Sequence, residues 1–145
     1  MAQEKLIRES GIPYTIVHST QFFEFLGGIA QSGTGGETVT ISSALFQPIA
    51  SDDVADVVAE VALSEPINGV MEIAGPEPVR MDALVARFLK LTNDPRKVIG
   101  DSHTLYFGTE LDDRSLVPGP GARIGSQTFE DWFERGRSRA TGVAA

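Results

Sequence analysis

A polar segment follows a short apolar stretch near the start of the chain. The stretch, residues 14–17, reads YTIV, and its β-branched residues with little alternation predict a strand covered on both faces. Ligands bind beyond the carboxyl ends of strands in open α/β sheets, and a helix start offers N–H groups to an amide, carboxylate or phosphate. The candidate binding residues after this strand are His18, Ser19, Thr20, Gln21 and Phe22.

A purely structural interpretation of the same segment stays open. The sequence TQFFEFLGGIAQ, from Thr20 onward, has the apolar spacing of a helix. Ser19 and Thr20 have side chains that cap helices, so Thr20 is predicted as the N-cap. In that interpretation His18 only satisfies a local hydrogen-bond acceptor.

Other patterns give weaker support for chemistry. The cluster GTGG at residues 33–36 is neither GxGxxG nor a lysine-containing P-loop, and it follows a predicted helix, which favours a flexible connection. Asp52, Asp53 and Asp56 include an i, i+4 pair, but acidic residues in a first helical turn are sufficiently explained by the helix dipole. The sequence has neither an HxxxH zinc pattern nor a GxSxG nucleophile elbow. We therefore expect no metal ion.

Composition excludes several classes of protein. The 145 residues carry a net charge of −8, whereas binding to a nucleic-acid backbone needs clustered Lys and Arg. Cysteine is absent, which excludes disulfides and thiolate metal sites. No apolar run approaches the roughly 20 residues of a membrane span, and MAQEKLIRES lacks the apolar core of a secretory signal. We expect a cytoplasmic protein that binds neither nucleic acid nor membrane.

Helical and strand patterns alternate along the chain, which predicts an α/β fold. The clearest helix is predicted for residues 51–65, where Val and Ala recur at helical spacing behind Ser51 or Asp52 as the cap. A short closing helix is predicted for residues 129–136. Residues 1–135 are expected to form one unit, and residues 136–145 a disordered tail.

Three segments together resemble a known family. They read AQEKLIRESGIPYTIVHSTQFFEFL, FQPIASDDVADVVAEVAL and GVMEIAGPEPVRMDALVARFL. In order and spacing they are similar to the C-terminal half of an atypical short-chain dehydrogenase/reductase of the NmrA-like, NAD(P)-binding branch. The resemblance extends to about Trp132. It implies an α/β fold of incomplete Rossmann-like type, namely its C-terminal half, with a small substrate-side subdomain.

The resemblance also implies roles for individual residues. The family uses NAD or NADP, and the turn that would border the nicotinamide ribose or the substrate comprises His18, Ser19, Thr20, Gln21 and Phe22. The segment that closes the substrate cleft would place Gln47, Pro48 and Ile49 near the substrate, with Asp53 at the following helix start.

Departures from the family pattern limit what the chain is expected to do. GxGxxG is absent, and neither tyrosine begins the Tyr-x-x-x-Lys pair that handles the proton and holds the ribose, because His18 follows Tyr14 and Glu110 follows Tyr106 at that spacing. We expect the substrate-side half of an NAD(P)-dependent oxidoreductase with a small-molecule substrate, inactive alone and with no catalytic residue assigned. The alternative is a non-catalytic module for dinucleotide sensing or protein interaction.

The predicted strand at residues 14–17 has a further implication. In the family it would be covered by a neighbouring strand and helices that this sequence does not contain. A strand edge left open with apolar flanks favours association. We therefore expect a homo-oligomer, or association with another chain through the exposed sheet edge.

Overall fold

The computed structural model describes residues 2–142, in which five α-helices and eight short strands give a mixed α/β fold. The helices are α1 (Ala2–Glu9), α2 (Leu26–Ser32), α3 (Ser51–Ala62), α4 (Met81–Leu91) and α5 (Phe129–Gly142). The strands are β1 (Thr15–Ser19), β2 (Thr34–Gly35), β3 (Thr38–Ile41), β4 (Leu45–Phe46), β5 (Gly69–Ala74), β6 (Val79–Arg80), β7 (Lys97–Gly100) and β8 (Arg123–Ile124). The α/β class predicted from the alternating patterns is confirmed.

The sheet that carries the predicted binding turn is parallel throughout, with strand order β1-β5-β8. β1 pairs with β5 along its whole length, from Thr15 beside Gly69 to Ser19 beside Ile73. β8 adds only two residues to the far side of β5. Helix α3 covers one face of this sheet and packs Val57 against Ile73. Because all three strands run in one direction, their carboxyl ends meet at one edge.

Two smaller sheets complete the fold. In one, β3 pairs antiparallel with β2 and parallel with β7; in the other, β4 pairs antiparallel with β6. Helices α2 and α4 pack on this part of the molecule. The main apolar core lies here, and its completely covered side chains include Leu26, Val39, Phe46, Met81 and Val85.

The structure corrects the predicted start of the second helix. The segment after Thr20 first makes a bridge at Phe22 and a 3-10 turn, Phe23–Phe25, and α2 begins only at Leu26. Thr20 is not its N-cap, because the Thr20 hydroxyl donates to the carbonyl oxygen of Gln47, 2.5 Å away. A long-range hydrogen bond has replaced the local one.

Two other boundaries differ from the sequence patterns. Helix α3 has Ala50 at its N-cap with no side-chain hydrogen bond, and the Ser51 hydroxyl donates instead to Glu24. Helix α5 continues to Gly142, into the segment for which we predicted a disordered tail, and Arg139 contacts Asp52 of α3 at 2.9 Å. The rest of that tail, residues 143–145, lies outside the described residues. Within residues 2–142, every helix falls short of the length and apolar character that a membrane span requires.

Candidate functional site

The turn after β1 is held in place by backbone and side-chain hydrogen bonds. The Thr20 N–H donates to the Ile73 carbonyl at 3.0 Å, which extends the pairing of β1 with β5 by one residue. The Gln21 carbonyl accepts from the Ile49 N–H at 2.8 Å, and the Thr20 hydroxyl reaches Gln47. The turn is therefore fixed to β5 on one side and to the segment between β4 and α3 on the other.

A cavity of about 140 Å³ opens at this turn. It lies at the carboxyl ends of β1 and β5, where the sheet topology predicts a ligand site. Four of the five predicted binding residues line it. The full lining is His18, Ser19, Thr20, Gln21, Glu72, Ile73, Ser115, Leu116, Val117 and Pro118.

The opposite wall of the cavity comes from the loop before β8. The Leu116 carbonyl accepts from the Gln47 N–H at 3.1 Å, and the Gly119 N–H donates to Glu72 at 3.2 Å. Ser115 is positioned by Asp112, whose carboxylate accepts from the Ser115 hydroxyl at 2.8 Å. The Arg114 backbone N–H, followed by the Ser115 hydroxyl, lowers the pKa of Asp112 from its ordinary value, so the carboxylate stays ionised.

Charged and titratable groups lie at the mouth of the cavity. His18 Nε2 is 3.1 Å from Glu4 Oε1 of α1, and His18 lies beside Glu72 in the register of β1 and β5. Arg8 of α1 contacts the other oxygen of Glu4 at 3.8 Å. The mouth therefore carries one imidazole and two carboxylates, with the imidazole hydrogen-bonded to Glu4.

Gln21 is an unusual residue in the cavity wall. Its side-chain oxygen is buried and has no hydrogen-bond partner. A buried acceptor without a donor costs about 1–3 kcal/mol. Because this oxygen is buried, a ligand N–H or O–H would reach it only after the Gln21 side chain rotates toward the cavity.

Phe22, the fifth predicted binding residue, does not line the cavity. Its ring stacks on Phe25 with centroids 5.7 Å apart and packs against the cluster of Ile49, Val57 and Ile73 under α3. Its backbone forms a parallel bridge to Ile49. The Phe22 ring therefore packs beside Phe25 and the cluster under α3, outside the cavity lining.

The three residues predicted to lie near the substrate are buried. Gln47 is 8% exposed, and its amide donates to the Gly75 carbonyl at 2.7 Å, while Pro48 and Ile49 are fully covered. None of them lines the cavity. Their place in the structure is behind the turn, where Gln47 connects Thr20, Gly75 and Leu116 through hydrogen bonds.

Asp53 is likewise buried at the start of α3. Its two carboxylate oxygens accept from the backbone N–H of Gln127 at 2.9 Å and from the Gln127 side-chain amide at 2.8 Å. Asp53 therefore joins α3 to the segment before α5. Among residues 2–142, no group of three or more His, Cys, Asp or Glu side chains is arranged to hold a metal ion.

Neither tyrosine is placed for proton transfer at the cavity. Tyr106 packs against the main core cluster, and burial raises the pKa of its phenol above the ordinary value. Tyr14 precedes β1, at the opposite end of the strand from the cavity, and its backbone bonds to Asn68. The cavity lining contains no lysine.

Comparison with known proteins adds no assignment, since no family model and no curated protein matches the chain.

Sequence reasoning missed one wall of the cavity. Glu72 is a carboxylate within the otherwise apolar strand GVMEIA, and that departure from the pattern was an available signal. Ser115 and Pro118 lie in an irregular segment whose position depends on contacts with Gln47 and Glu72. Local patterns carry no information about such contacts.

Proposed function

We propose that the chain forms the substrate-side part of a dinucleotide-dependent oxidoreductase site, and that its cavity receives the nicotinamide end of NAD or NADP. The observation that carries the proposal is the position of the cavity. It opens at the carboxyl ends of two adjacent parallel strands and is lined by the polar turn at residues 18–21. Dinucleotides bind at this edge in doubly wound α/β folds.

The size and polarity of the cavity fit one part of a dinucleotide rather than the whole molecule. At about 140 Å³ it is smaller than the roughly 300–1,000 Å³ of pockets that enclose a whole ligand. One ring with an amide substituent suits this volume. The N–H groups of a carboxamide match the unpaired acceptor of Gln21.

The wider assignment belongs to the same proposal. The sheet β1-β5-β8 with α3 would be the C-terminal half of a Rossmann-like, NmrA-like domain. The two smaller sheets with α4 would be its substrate-side subdomain. In this proposal the chain alone binds the nicotinamide ring but does not catalyse the reaction, because neither Tyr14 nor Tyr106 lines the cavity.

The decisive experiment is a calorimetric titration of the chain with reduced nicotinamide mononucleotide, NADH and NADPH. We expect binding of all three, and a loss of at least tenfold in affinity for Ser19→Trp, whose indole would fill the cavity. Ser64→Trp is the matched control, since Ser64 is exposed at the end of α3 and does not line the cavity. Absence of binding to the wild-type chain, or equal binding by Ser19→Trp, contradicts the proposal.

A second function, dinucleotide sensing without reaction, is favoured by the placement of the tyrosines. Oxidation of NADPH in the presence of a quinone separates the two. Both functions predict binding without oxidation by the chain alone. Binding without oxidation by every complex that the chain forms as well supports the sensor, whereas oxidation by such a complex that Ser19→Trp abolishes supports the reductase.

A further inference from the structure

The outer edge of β1 is open in the part of the chain that the structure describes. β1 is the terminal strand of its sheet, and its one neighbour is β5. Thr20 donates to Ile73, and the Tyr14 carbonyl accepts from Asn68, so the backbone groups of even-numbered residues point toward β5. Strand backbones alternate, so the N–H and C=O groups of Thr15, Val17 and Ser19 point to the open edge.

The sequence and register of β1 lack three of the features that prevent edge strands from pairing. Natural proteins protect open edges with charged residues, proline or bulges. β1 reads TIVHS and contains none of these, and its register with β5 is regular from end to end. All-parallel sheets occur almost entirely with both faces covered. Here β5 exposes Val70 and Glu72 on the face opposite α3.

Apolar side chains are also exposed next to this edge in sequence. Helix α1 buries none of its residues, and Leu6 is 70% exposed. Ile12, in the connection from α1 to β1, is 69% exposed. The Glu4–His18 contact ties α1 to the strand. Thus α1 presents apolar surface rather than covering it.

The distribution of charge indicates what covers the edge. Residues 1–19 contain Glu4, Glu9, Lys5 and Arg8 and so carry no net charge, while residues 20–145 carry the whole net charge of −8. Two copies of this chain carry the same net charge and so repel each other on the whole. We expect that repulsion to oppose association least where the segment without net charge, α1 and β1, of one copy meets the same segment of another.

We propose that the partner is a second copy of the chain, joined edge to edge through antiparallel pairing of β1 around a two-fold axis at Val17. Val17 then exchanges both backbone hydrogen bonds with Val17 of the second copy, and Thr15 does so with Ser19 of the second copy. Ile16 lies opposite His18 of the second copy, so no like charges face each other on the strands. The two three-stranded sheets become one six-stranded sheet.

This inference does not rest on the proposed function, because dimerisation needs no ligand. The two-fold arrangement places the two cavities at opposite ends of the paired strands. A dimer without nicotinamide binding would refute the function alone, and nicotinamide binding by a monomer would refute the dimer alone.

The test uses disulfide trapping, for which the absence of cysteine in the wild-type chain is favourable. Paired residues in antiparallel strands have Cα atoms about 4.5–5.5 Å apart, within the range that a disulfide spans. We expect Val17→Cys to form a covalent dimer under mild oxidation. In a dimer of Thr15→Cys alone, the two cysteines would lie about 14 Å apart along the strands, so this variant should not form a disulfide. A mixture of Thr15→Cys with Ser19→Cys would link the two variants to each other.

The matched control is Ile99→Cys on β7, which is also an exposed edge residue but belongs to another sheet. Sedimentation of the wild-type chain at micromolar concentration, without any substitution, should give twice the mass of one chain. A monomer there overturns the proposal. It is also overturned if Ile99→Cys links as fast as Val17→Cys, or if Thr15→Cys links to itself.

Discussion

At the scale of single residues, the segments behind the cavity approach each other more closely than a side chain allows. A Cβ atom on Gly75 would lie 1.7 Å from the Pro48 carbonyl oxygen. Because the segments are this close, the Gly75 N–H donates to the Gln47 carbonyl and the Gln47 side-chain amide donates to the Gly75 carbonyl. The glycine at the end of β5 is thus a condition for the turn that holds Thr20.

We predict that Gly75→Ala lowers the free energy of unfolding by about 3 kcal/mol, because the two segments must separate to admit the methyl group. Gly28→Ala is the matched control. Gly28 lies in α2 with nothing within 4 Å of the added Cβ atom, and the helix should gain up to about 1 kcal/mol. Urea denaturation of both variants measures the difference. Equal effects would show that the close approach at Gly75 is relieved at no cost.

Asp53 illustrates a residue whose role is structural although its type suggests chemistry. It is 8% exposed and accepts two hydrogen bonds from Gln127. Its place in a first helical turn was visible in the sequence, and that pattern gave a sufficient explanation without a ligand. Its partner, 74 positions further along the chain, was not visible.

We predict that Asp53→Ala destabilises the fold by about 3 kcal/mol, since it removes two charge-assisted hydrogen bonds and leaves buried donors of Gln127 unpaired. Asp56→Ala, at an exposed position of the same helix, should change stability by less than about 0.5 kcal/mol. Chemical denaturation of the two variants provides the measurement. A loss of similar size in both would mean that helix-dipole effects, rather than the Gln127 contact, dominate at this end of α3.

At the scale of elements, α5 is attached through a group of aromatic rings. The Trp132 ring lies 5.5 Å from that of Phe23 and 5.8 Å from that of Phe129, and its indole N–H donates to Glu24 at 3.0 Å. Phe88 of α4 is 6.4 Å away. The ring group connects α5 to α4 and to the 3-10 turn before α2.

We predict that Trp132→Ala costs about 2 kcal/mol of stability, less than for a fully buried ring because Trp132 is half-buried. Leu63→Ala, which shortens a side chain that is 92% exposed, serves as the control and should be nearly neutral. Thermal unfolding followed by circular dichroism tests both. A neutral Trp132→Ala would show that the other rings, with the buried Phe129 among them, are sufficient to attach α5.

Helices and strands could be predicted from the sequence where the apolar periodicity determines them. They could not be predicted where hydrogen bonds between distant residues determine the structure. The apolar spacing in residues 51–65 predicted α3, and the structure has it at Ser51–Ala62. In contrast, the helical spacing after Thr20 was overruled, because Thr20 and Gln21 bond to Gln47 and Ile49 instead of beginning a helix. One wall of the candidate site followed from the sequence, and the wall around Ser115 required the fold.

At the scale of the whole molecule, the titratable groups set the pH range of stability. Several carboxyl groups at the surface have a lowered pKa, because Arg123, Arg96 and backbone or hydroxyl groups donate hydrogen bonds to them. They are Glu60, Asp94, Asp101, Asp112 and Asp131. A lowered pKa contributes stability that is present above the ordinary value and is lost as the pH falls through the folded-state value.

We predict that stability declines below about pH 4, where these carboxyls protonate, and again above about pH 10, where Tyr106 ionises in the unfolded chain but resists ionisation in the fold. Because the pKa of Tyr106 is raised in the fold, its contribution to stability is complete below pH 10 and is lost as the pH rises through the folded-state pKa. Urea midpoints measured from pH 3 to pH 11 test both limits. Tyr106→Phe should weaken the alkaline decline, whereas an unchanged profile would assign it to other groups.

The position of Gln47 has a consequence for synthesis of the chain. Its hydrogen-bond partners lie at residues 20, 75 and 116, so the middle of the polypeptide cannot complete its bonding until most of the chain has left the ribosome. Loop closure over such separations slows folding. A nascent chain halted before Leu116 should therefore remain sensitive to protease around residue 47, whereas the released protein should resist cleavage there.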